Sequence, residues 1–487
     1  MYSYPGMNRR PFSSICQCNF GRKVIYTYEN RIDKDNIITE LNKALAIHNQ
    51  NAMEIEYLDR YYRGDQPIIY RKKKTRPEIN NTIVINLAQY LVDTKASEIA
   101  GEPIQYVLRG TDARKSDEIN SLNTMLINED KDMLDIELCR WRSICGTAYR
   151  YVGLDNGTGS ILDESVFYID VPDPRLNFVV YYANSKKPAF SCTIGKDQNG
   201  RDKYYCYTNA QYFDIENGEI KSTAINGRRA IPLIEYPNNE RRLSDIEITI
   251  SLTDAINKLT SDRINGVEQF VQAFIKFVNC DIDNDKFEKL RESGAFVVKS
   301  NNGDNKADVD ILSSELSQSE GQVVMSDLFE KFLIVHGIAS REGKSDGGST
   351  AGAVLLRDGY YTQEKRSELS EPIFKKSEKA LVRILLHILK VEKQFTLMPS
   401  DIEIKITRSK RDNMLTKAQT MQLLMQSGIE PTRAIKTVGL FSDPEQVAKE
   451  SQERLAVVYP NKPQTQETQS NATTTSVTNV VDNISNV

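Results

Sequence analysis

The sequence predicts an α+β protein in which long helices flank a β-rich middle region. Apolar residues recur at helical spacing over 36–63 and again over 85–99. Residues 146–237 are instead rich in Tyr, Val, Phe and Ile and are interrupted by turn sequences. Helical spacing returns after residue 244 and continues through most of the remaining chain. A chain of 487 residues is long enough for about three domains.

The first helix follows an N-terminal arm, residues 1–35, that has no clear period. The helix over 36–63 ends at Gly64, which is expected to cap it in the left-handed conformation. Pro67–Tyr70 follows and is predicted to be a short strand.

The same arrangement recurs in the next forty residues or so. The helix over 85–99 is closed by Gly101, again as a left-handed cap, and Pro103–Leu108 is expected to be extended. Residues 117–145 are predicted to be helical.

The middle region is predicted to be a set of antiparallel strands joined by tight turns. Asparagine–glycine pairs favour hairpin turns because both residues tolerate positive φ. Four such pairs occur, at Asn156-Gly157, Asn199-Gly200, Asn217-Gly218 and Asn226-Gly227.

Ser244 to Glu247 matches a capping box, in which serine and glutamate satisfy free backbone amides. The helix that this box opens should reach about residue 275. A small module is expected next, with a helix over 283–293 and a hairpin that pairs Phe296–Lys299 with Val309–Leu312.

Two long helices are predicted around a polar, glycine-rich loop at 340–351. The first covers 319–338, and the second runs from Ala351 to about Val391 with a kink expected at Pro372. Three glycines in the loop favour mobility.

The last elements are short. Asp401–Ile406 alternates strictly and predicts a strand. Helices are expected over 415–427, 431–438 and 444–458, and the polar segment 461–487 is expected to be disordered.

Composition excludes several classes of protein. The net charge is −4, so tight binding of duplex DNA by a strongly basic surface is not predicted. No apolar run approaches the roughly 20 residues that a membrane span needs, and the N-terminus lacks the apolar region of a secretory signal. The seven scattered cysteines are interpreted as reduced thiols of a cytosolic protein.

The glycine-rich loop partly resembles a phosphate-binding P-loop. Gly343-Lys344-Ser345 follows Gly337, but five residues separate the glycines where the motif needs four. Ile338 stands where the first glycine should be. An NTPase is therefore the alternative interpretation of the loop, and a mobile, non-catalytic loop is the preferred one.

The other candidate motifs favour structural explanations. Asp281–Asp285 begins a possible calcium loop, but Lys286 stands where that loop needs glycine. The three histidines are isolated, and no zinc site, catalytic site or cofactor is expected. The run Arg71–Arg76 is interpreted as a solvated loop, with nucleic-acid contact as the alternative.

Read in order, several segments resemble the portal proteins of tailed bacteriophages, the head-to-tail connector family. The resemblance covers roughly 50–458. It is carried by Tyr61-Tyr-Arg-Gly64, Asn80–Asn86, Ala100–Ile104, Leu252–Asn257 with Ser261-Asp262, His336-Gly-Ile-Ala339, the glycine-rich loop with the long helix after it, and Ser442-Asp-Pro444.

The resemblance implies a non-enzymatic ring, usually of twelve subunits, at one vertex of the capsid. Such a ring carries double-stranded DNA and docks the terminase large subunit and later a head-completion adaptor. Contacts with major capsid and scaffolding proteins are also implied, and none with a membrane. A soluble DNA-binding protein remains a further alternative. The resemblance implies a virion protein made in the host cytoplasm.

The resemblance divides the chain into regions. These are the arm (1–35), an α+β wing (36–242), a stem helix (243–275), a clip (276–318), a second stem helix (319–339), a tunnel loop (340–351), a long kinked helix with a wing strand (352–411), a helical crown (412–460) and the tail (461–487).

Two sets of site residues follow from the resemblance. The DNA-channel set is Arg341, Glu342, Gly343, Lys344, Ser345, Asp346, Gly347, Gly348, Ser349 and Thr350. The motor-docking set is Asp283, Lys286, Lys289, Arg291, Glu292 and Lys299. The tunnel loop has two basic and two acidic residues, so it should contact DNA without binding it tightly.

Overall fold

We analysed a computed structural model of the chain. It describes residues 21–74, 77–110, 112–154, 165–271, 274–278, 308–312, 318–339, 360–406, 414–438 and 444–451. The chain divides into two compact units, Met1–Lys410 and Arg411–Val487. The mixture of helices and sheets confirms the predicted α+β class.

The first unit contains most of the helices. In chain order they are α1 (Ile37–Tyr62), α2 (Leu87–Ala100), α3 (Ala113–Asn128), α4 (Lys131–Cys145), α5 (Ile250–Val271), α6 (Gln318–His336) and α7 (Tyr360–Glu392). The predicted long helices are therefore present, although 117–145 is divided at Glu129–Asp130 into α3 and α4.

The strands that the structure describes lie in this unit. They are β1 (Ile25–Thr27), β2 (Gln105–Leu108), β3 (Thr147–Leu154), β4 (Phe167–Asp170), β5 (Asn177–Tyr182), β6 (Pro188–Lys196), β7 (Asp202–Tyr207), β8 (Gln211–Glu216), β9 (Glu219–Ile225), β10 (Leu233–Pro237), β11 (Phe274–Val278), β12 (Asp308–Leu312) and β13 (Ile402–Lys405).

The predicted β region forms two sheets. One has six strands in the order β1-β5-β6-β7-β8-β9, and only β1 joins it in parallel. The other has three antiparallel strands in the order β10-β3-β4. Asn217 and Gly218, both with positive φ, make the turn between β8 and β9 as predicted.

The two largest hydrophobic clusters among the described residues both lie in this unit. The larger lies between α2, α3, α4, α7 and the three-stranded sheet, and includes Leu122, Leu138, Phe167 and Leu385. Strand β13 pairs with β2 beside this core, so the strand predicted at 401–406 joins the last part of the unit to residues 105–108. The smaller core lies between α1 and the six-stranded sheet.

The second unit contains three short helices in its described part. They are α8 (Met414–Gln426), α9 (Pro431–Val438) and α10 (Pro444–Glu450). Their packing centres on Met425, Ala434 and Ile435.

Two predictions between residues 67 and 101 are wrong. Pro67–Tyr70 is a 3-10 helix, because the amide of Ile69 donates to Gln66 and that of Arg71 donates to Ile68. Gly101 is right-handed rather than left-handed, because its amide continues the helical pattern by donating to the carbonyl of Ser97.

The predicted start of α5 is also wrong. The Ser244 amide donates to Glu247 Oε2 at 2.8 Å, as in a capping box, but the Ser244 hydroxyl accepts from Ile246 rather than Glu247. Glu247 is further engaged by Arg22, and the α-helix begins only at Ile250.

The predicted hairpin near residue 300 is different in its described part. Strand β12 pairs antiparallel with β11, whose first two residues were expected to end the preceding helix. The proposed partner, Phe296–Lys299, lies outside the described residues.

Candidate functional site at the base of the paired helices

The predicted site residues lie outside the described part of the chain. The channel set, Arg341 to Thr350, falls within 340–359, and the docking set, Asp283 to Lys299, falls within 279–307. What the structure does describe is the frame that holds the ends of these segments.

Helices α5 and α6 form an antiparallel pair. The Thr249 hydroxyl just before α5 lies 2.7 Å from His336 Nε2 at the end of α6. Farther along α5, Thr260 Oγ1 lies 3.5 Å from the sulfur of Met325. The two contacts are eleven residues apart on each helix. Residue numbers rise along α5 in the direction in which they fall along α6.

A polar ladder attaches α5 to the body of the first unit. It consists of Asn257, Ser261 and Asn265, whose side-chain oxygens accept hydrogen bonds from three backbone amides. The donors are Ile85, Ile83 and Asn81, at distances of 2.8, 2.9 and 2.7 Å respectively.

The ladder forms because two repeat distances, one along the helix and one along the extended chain, are nearly equal. Four residues of an α-helix advance about 6 Å along its axis, and two residues of an extended chain advance about 6.6 Å. Acceptors at every fourth helical position can therefore meet donors at every second position of residues 81–85. The match satisfies amides that would otherwise be buried without partners.

Further contacts fix the same junction. The Tyr61 hydroxyl donates to Asp254 at 2.9 Å, and Arg71 pairs with Asp262 at 2.6 Å. Burial raises the pKa of Asp254, and the Tyr61 hydrogen bond only partly offsets that rise. A small apolar cluster completes the junction, namely Leu87, Leu91, Ile256, Phe332, Leu333 and Ile338.

Helix α6 ends in a Schellman motif at Gly337. The Ile338 amide donates to Leu333 at 2.9 Å, and the Gly337 amide donates to Ile334 at 3.1 Å. Gly337 has φ of +65°, which glycine adopts without strain. Ile338 and Leu333 share one apolar cluster, as this motif favours.

Helix α7 holds the end of α6 through two side chains, which we call the clamp. Gln363 accepts from the Ala339 amide at 3.2 Å and donates to Glu98 at 3.1 Å. Arg366 donates to the carbonyls of Ile334 and Val335 at 3.2 and 3.1 Å. A cation is favoured there because those carbonyls are the negative end of the α6 dipole.

His336 is buried at this junction beside Thr249. Burial lowers its pKa to about 4, so the imidazole is neutral at pH 7. Its contacts with Thr249 and with the ring of Phe332 give it a packing role at this junction. His48 is similar, with Nε2 2.9 Å from the Arg175 carbonyl and a pKa that burial lowers to about 4.

The middle of α7 is held by a buried ionic cluster made of Lys131, Asp135, Arg150 and Glu378. Lys131 lies 2.6 Å from Asp135 and 3.0 Å from Glu378, and Arg150 pairs with Asp135. Burial alone would raise the pKa of Glu378, but Lys131 and Arg150 lower it to about 2. Two tyrosine hydroxyls, of Tyr106 and Tyr236, also donate to Glu378.

Other candidate chemistry has structural explanations. Within the described ranges, no group of three His, Cys, Asp or Glu is arranged to hold a metal ion. No described helix is long and apolar enough to cross a membrane. In the run Arg71–Arg76, Arg71 is used in the ion pair with Asp262, whereas Lys72 and Lys74 are exposed.

The sequence analysis did not identify the polar ladder or the clamp. Three of the segments that carry the family resemblance nevertheless meet in the ladder: Asn80–Asn86, Leu252–Asn257 and Ser261-Asp262. His336–Ala339 lies beside them at the end of α6. The available signal was polar side chains four residues apart on one face of a long helix.

Two sequence comparisons identify similar proteins. The family model for SPP1 Gp6-like phage portal proteins matches residues 41–457. The portal protein of Clostridium phage phiCD119 is 21% identical over 404 residues, which cover 75% of this chain and 88% of that protein.

Two solved structures are also similar. They are the neck of an empty GTA particle computed with C6 symmetry and that of a native GTA particle computed with C12 symmetry. Each is 13% identical and matched over 73% of this chain and 90% of the other, with TM-scores of 0.43 and 0.42. On the family match, the chain belongs to the SPP1 Gp6-like phage portal proteins, which are structural rather than enzymatic components of the virion.

Proposed function

We propose that copies of this chain close into a ring, of twelve subunits in the assembled head, around a channel for double-stranded DNA. The ring would occupy one capsid vertex, where it contacts the major capsid and scaffolding proteins. DNA would pass through it during packaging and again during ejection.

The observation that carries the proposal is the clamp at the ends of segment 340–359. Ala339, before the segment, is hydrogen-bonded to Gln363, just after the start of α7. Repeated around a ring, this anchorage would present twenty residues of each subunit from one fixed point. Arg341 and Lys344 balance Glu342 and Asp346 there, which suits contact with moving DNA because each excess cation would add affinity.

Segment 276–318 is the proposed docking region for the terminase large subunit, and afterwards for a head-completion adaptor. It connects β11 to the start of α6 at the end of the helix pair opposite the clamp. Asp283, Lys286, Lys289, Arg291, Glu292 and Lys299 are the residues proposed to make these contacts.

Electron microscopy of the purified full chain tests the ring. We expect closed rings with twelvefold symmetry, and a protein that stays monomeric at all concentrations and in assembled heads would contradict the proposal.

Deletion of Gly343 to Ser349 tests the channel role in phage heads assembled with the variant. We expect poorer DNA filling or retention, because the residues proposed to meet DNA are lost. Deleting the seven residues 473–479 from the polar tail is the control of equal length. Unchanged filling and retention in the first variant would contradict a DNA-contacting role.

A further inference from the structure

The face of α6 that points away from α5 carries an exposed stripe. Its members are Val323, Asp327, Glu330 and Ile334, spaced by four, three and four residues. Val323 is 68% exposed and Ile334 is 53% exposed. Val324, Phe329 and Val335 are also exposed on α6, and such a concentration of exposed apolar side chains favours an interface with another surface.

Helix α5 carries a second stripe with the same spacing, on a face that neither α6 nor the polar ladder covers. Its members are Ser251, Ala255, Lys258 and Asp262. The first two are small and exposed. Lys258 is exposed and makes no ion pair with any residue that the structure describes, whereas Asp262 pairs with Arg71.

The two stripes are matched in height along the helix pair. Thr260 is level with Met325, and Thr249 is level with His336. These two contacts fix which residue of α5 lies level with which residue of α6. Each member of one stripe is therefore level with one member of the other stripe. The pairs are Ser251 with Ile334, Ala255 with Glu330, Lys258 with Asp327, and Asp262 with Val323.

We propose that the α6 stripe of one copy packs against the α5 stripe of the next copy. This inference rests on the proposed ring and places the helix pair along the ring axis, so that rotation preserves height. Alternating spacings of four and three are those of helices that pack along a seam. Such an interface joins two different surfaces, as ring closure requires.

The chemistry of the two stripes is complementary. Small Ser251 leaves room for the bulky Ile334 of the neighbouring copy. Lys258 meets Asp327, with Glu330 about 4.5 Å farther along the axis. Among the described residues of its own chain, Asp327 has only an exposed ion pair with Lys331, at 3.5 Å, and such exposed pairs contribute little.

A charge exchange tests the interface in the full chain. Lys258→Glu and Asp327→Lys should each reduce the ring fraction measured by sedimentation at fixed protein concentration, because like charges then face each other. The double variant should restore rings. Lys187→Glu, in the exposed turn between β5 and β6, is the matched control and should assemble like the wild type.

A covalent test uses Ser251→Cys combined with Ile334→Cys. These positions point away from each other within one chain, so oxidation should give a ladder of covalently linked multimers on a non-reducing gel. Ser251→Cys alone should give no ladder. This readout also serves if a charge variant fails to fold.

The outcomes separate the two proposals. Wild-type rings that neither single charge variant weakens, or a loss that the double variant does not reverse, would overturn this interface and leave the ring standing. Failure of the wild type itself to form rings would overturn the ring and the interface together.

Discussion

Helix α7 is held at two places by different chemistry. Its middle is fixed by the buried ionic cluster around Glu378, where every charge is removed from water. Its beginning is fixed by the clamp, in which Gln363 and Arg366 contact backbone groups at a partly exposed site. Buried charges tolerate no missing partner, whereas exposed polar contacts can exchange with water.

This difference assigns separate roles to the ionic cluster and to the clamp. The ionic cluster joins α4, β3 and α7 into one rigid body. The clamp and the polar ladder attach the helix pair to the rest of the unit through many modest contacts. We therefore expect mutations to have the largest effects in the cluster and smaller, more local effects at the base of the helix pair.

The largest effect is expected from Glu378→Ala. It leaves Lys131 and Arg150 with less negative charge in a dry environment, so the free energy of unfolding should fall by about 3–5 kcal/mol. Chemical denaturation at fixed protein concentration measures the loss. Glu392→Ala, at the exposed end of the same helix, is the control. Equal stabilities of the two variants would show that the cluster does not hold α7.

Gly337→Ala should weaken the end of α6. Its φ of +65° strains any other residue, and an added Cβ would lie 2.5 Å from Arg366 Cδ. Gly64→Ala is the matched control, because φ is +87° there but the nearest atom would be 3.6 Å away. The control should lose about 1–2 kcal/mol, and Gly337→Ala should lose more in the same denaturation assay. Equal losses would mean that Arg366 moves aside freely.

Asn257→Ala should open the polar ladder locally. The Ile85 amide and Gln66 lose their partner, which costs about 1–2 kcal/mol when a buried group is left unsatisfied. Hydrogen exchange at Ile85 should accelerate, while exchange in the six-stranded sheet stays unchanged. Lys258→Ala, one residue along on an exposed side, should leave Ile85 protected. Unaltered protection in Asn257→Ala would contradict the ladder.

The titration of His336 and Glu378 should have the smallest effect at neutral pH. It also tests separately the difference between the base of the helix pair and the ionic cluster. The pKa of His336 is about 4 in the folded chain against 6.5 ordinarily, so its contribution is lost as pH falls from about 6.5 to 4. The pKa of Glu378 is about 2 against 4.5, so the cluster loses its contribution only below about pH 4.5. The base of the helix pair should weaken first.

His336→Asn separates these two ranges. It should reduce the pH dependence of the unfolding free energy between pH 6.5 and 4 and leave the dependence below pH 4.5 intact. His48→Asn should reduce the same upper range, because burial also lowers the pKa of His48 to about 4. No change in the upper range in either variant would contradict buried neutral histidines.

Local patterns in the sequence predicted the long helices and the turn between β8 and β9 because each depends on nearby residues, whereas Asn226-Gly227 joins no pair of adjacent strands. The 3.6-residue period gave α1, α6 and much of α7, and Asn217-Gly218 gave a hairpin. Pro67–Tyr70 was misassigned because its apolar composition suits a strand, whereas its hydrogen bonds close within the segment. A segment forms a strand only when it pairs with a second strand, and its composition does not show whether such a partner exists.

The site was predictable only in part. The family resemblance correctly indicated a structural phage portal protein, and membership of that family argues against the NTPase alternative at Gly343-Lys344-Ser345. The ladder was missed because Asn257, Ser261 and Asn265 look like an ordinary polar helix face. Their backbone partners lie more than 170 residues earlier in the chain, and no local pattern connects such distant residues.

The clamp has a consequence for how this chain can vary. Ala339 and Gln363, on either side of segment 340–359, are hydrogen-bonded to each other, so the residues that flank the segment are fixed at one place. We expect that residues can be added to or removed from 340–359 without shifting the register of either flanking helix. The length of segment 340–359 could thus change independently of the flanking helices. Such a change would alter the channel diameter of the proposed ring while its helices stay the same.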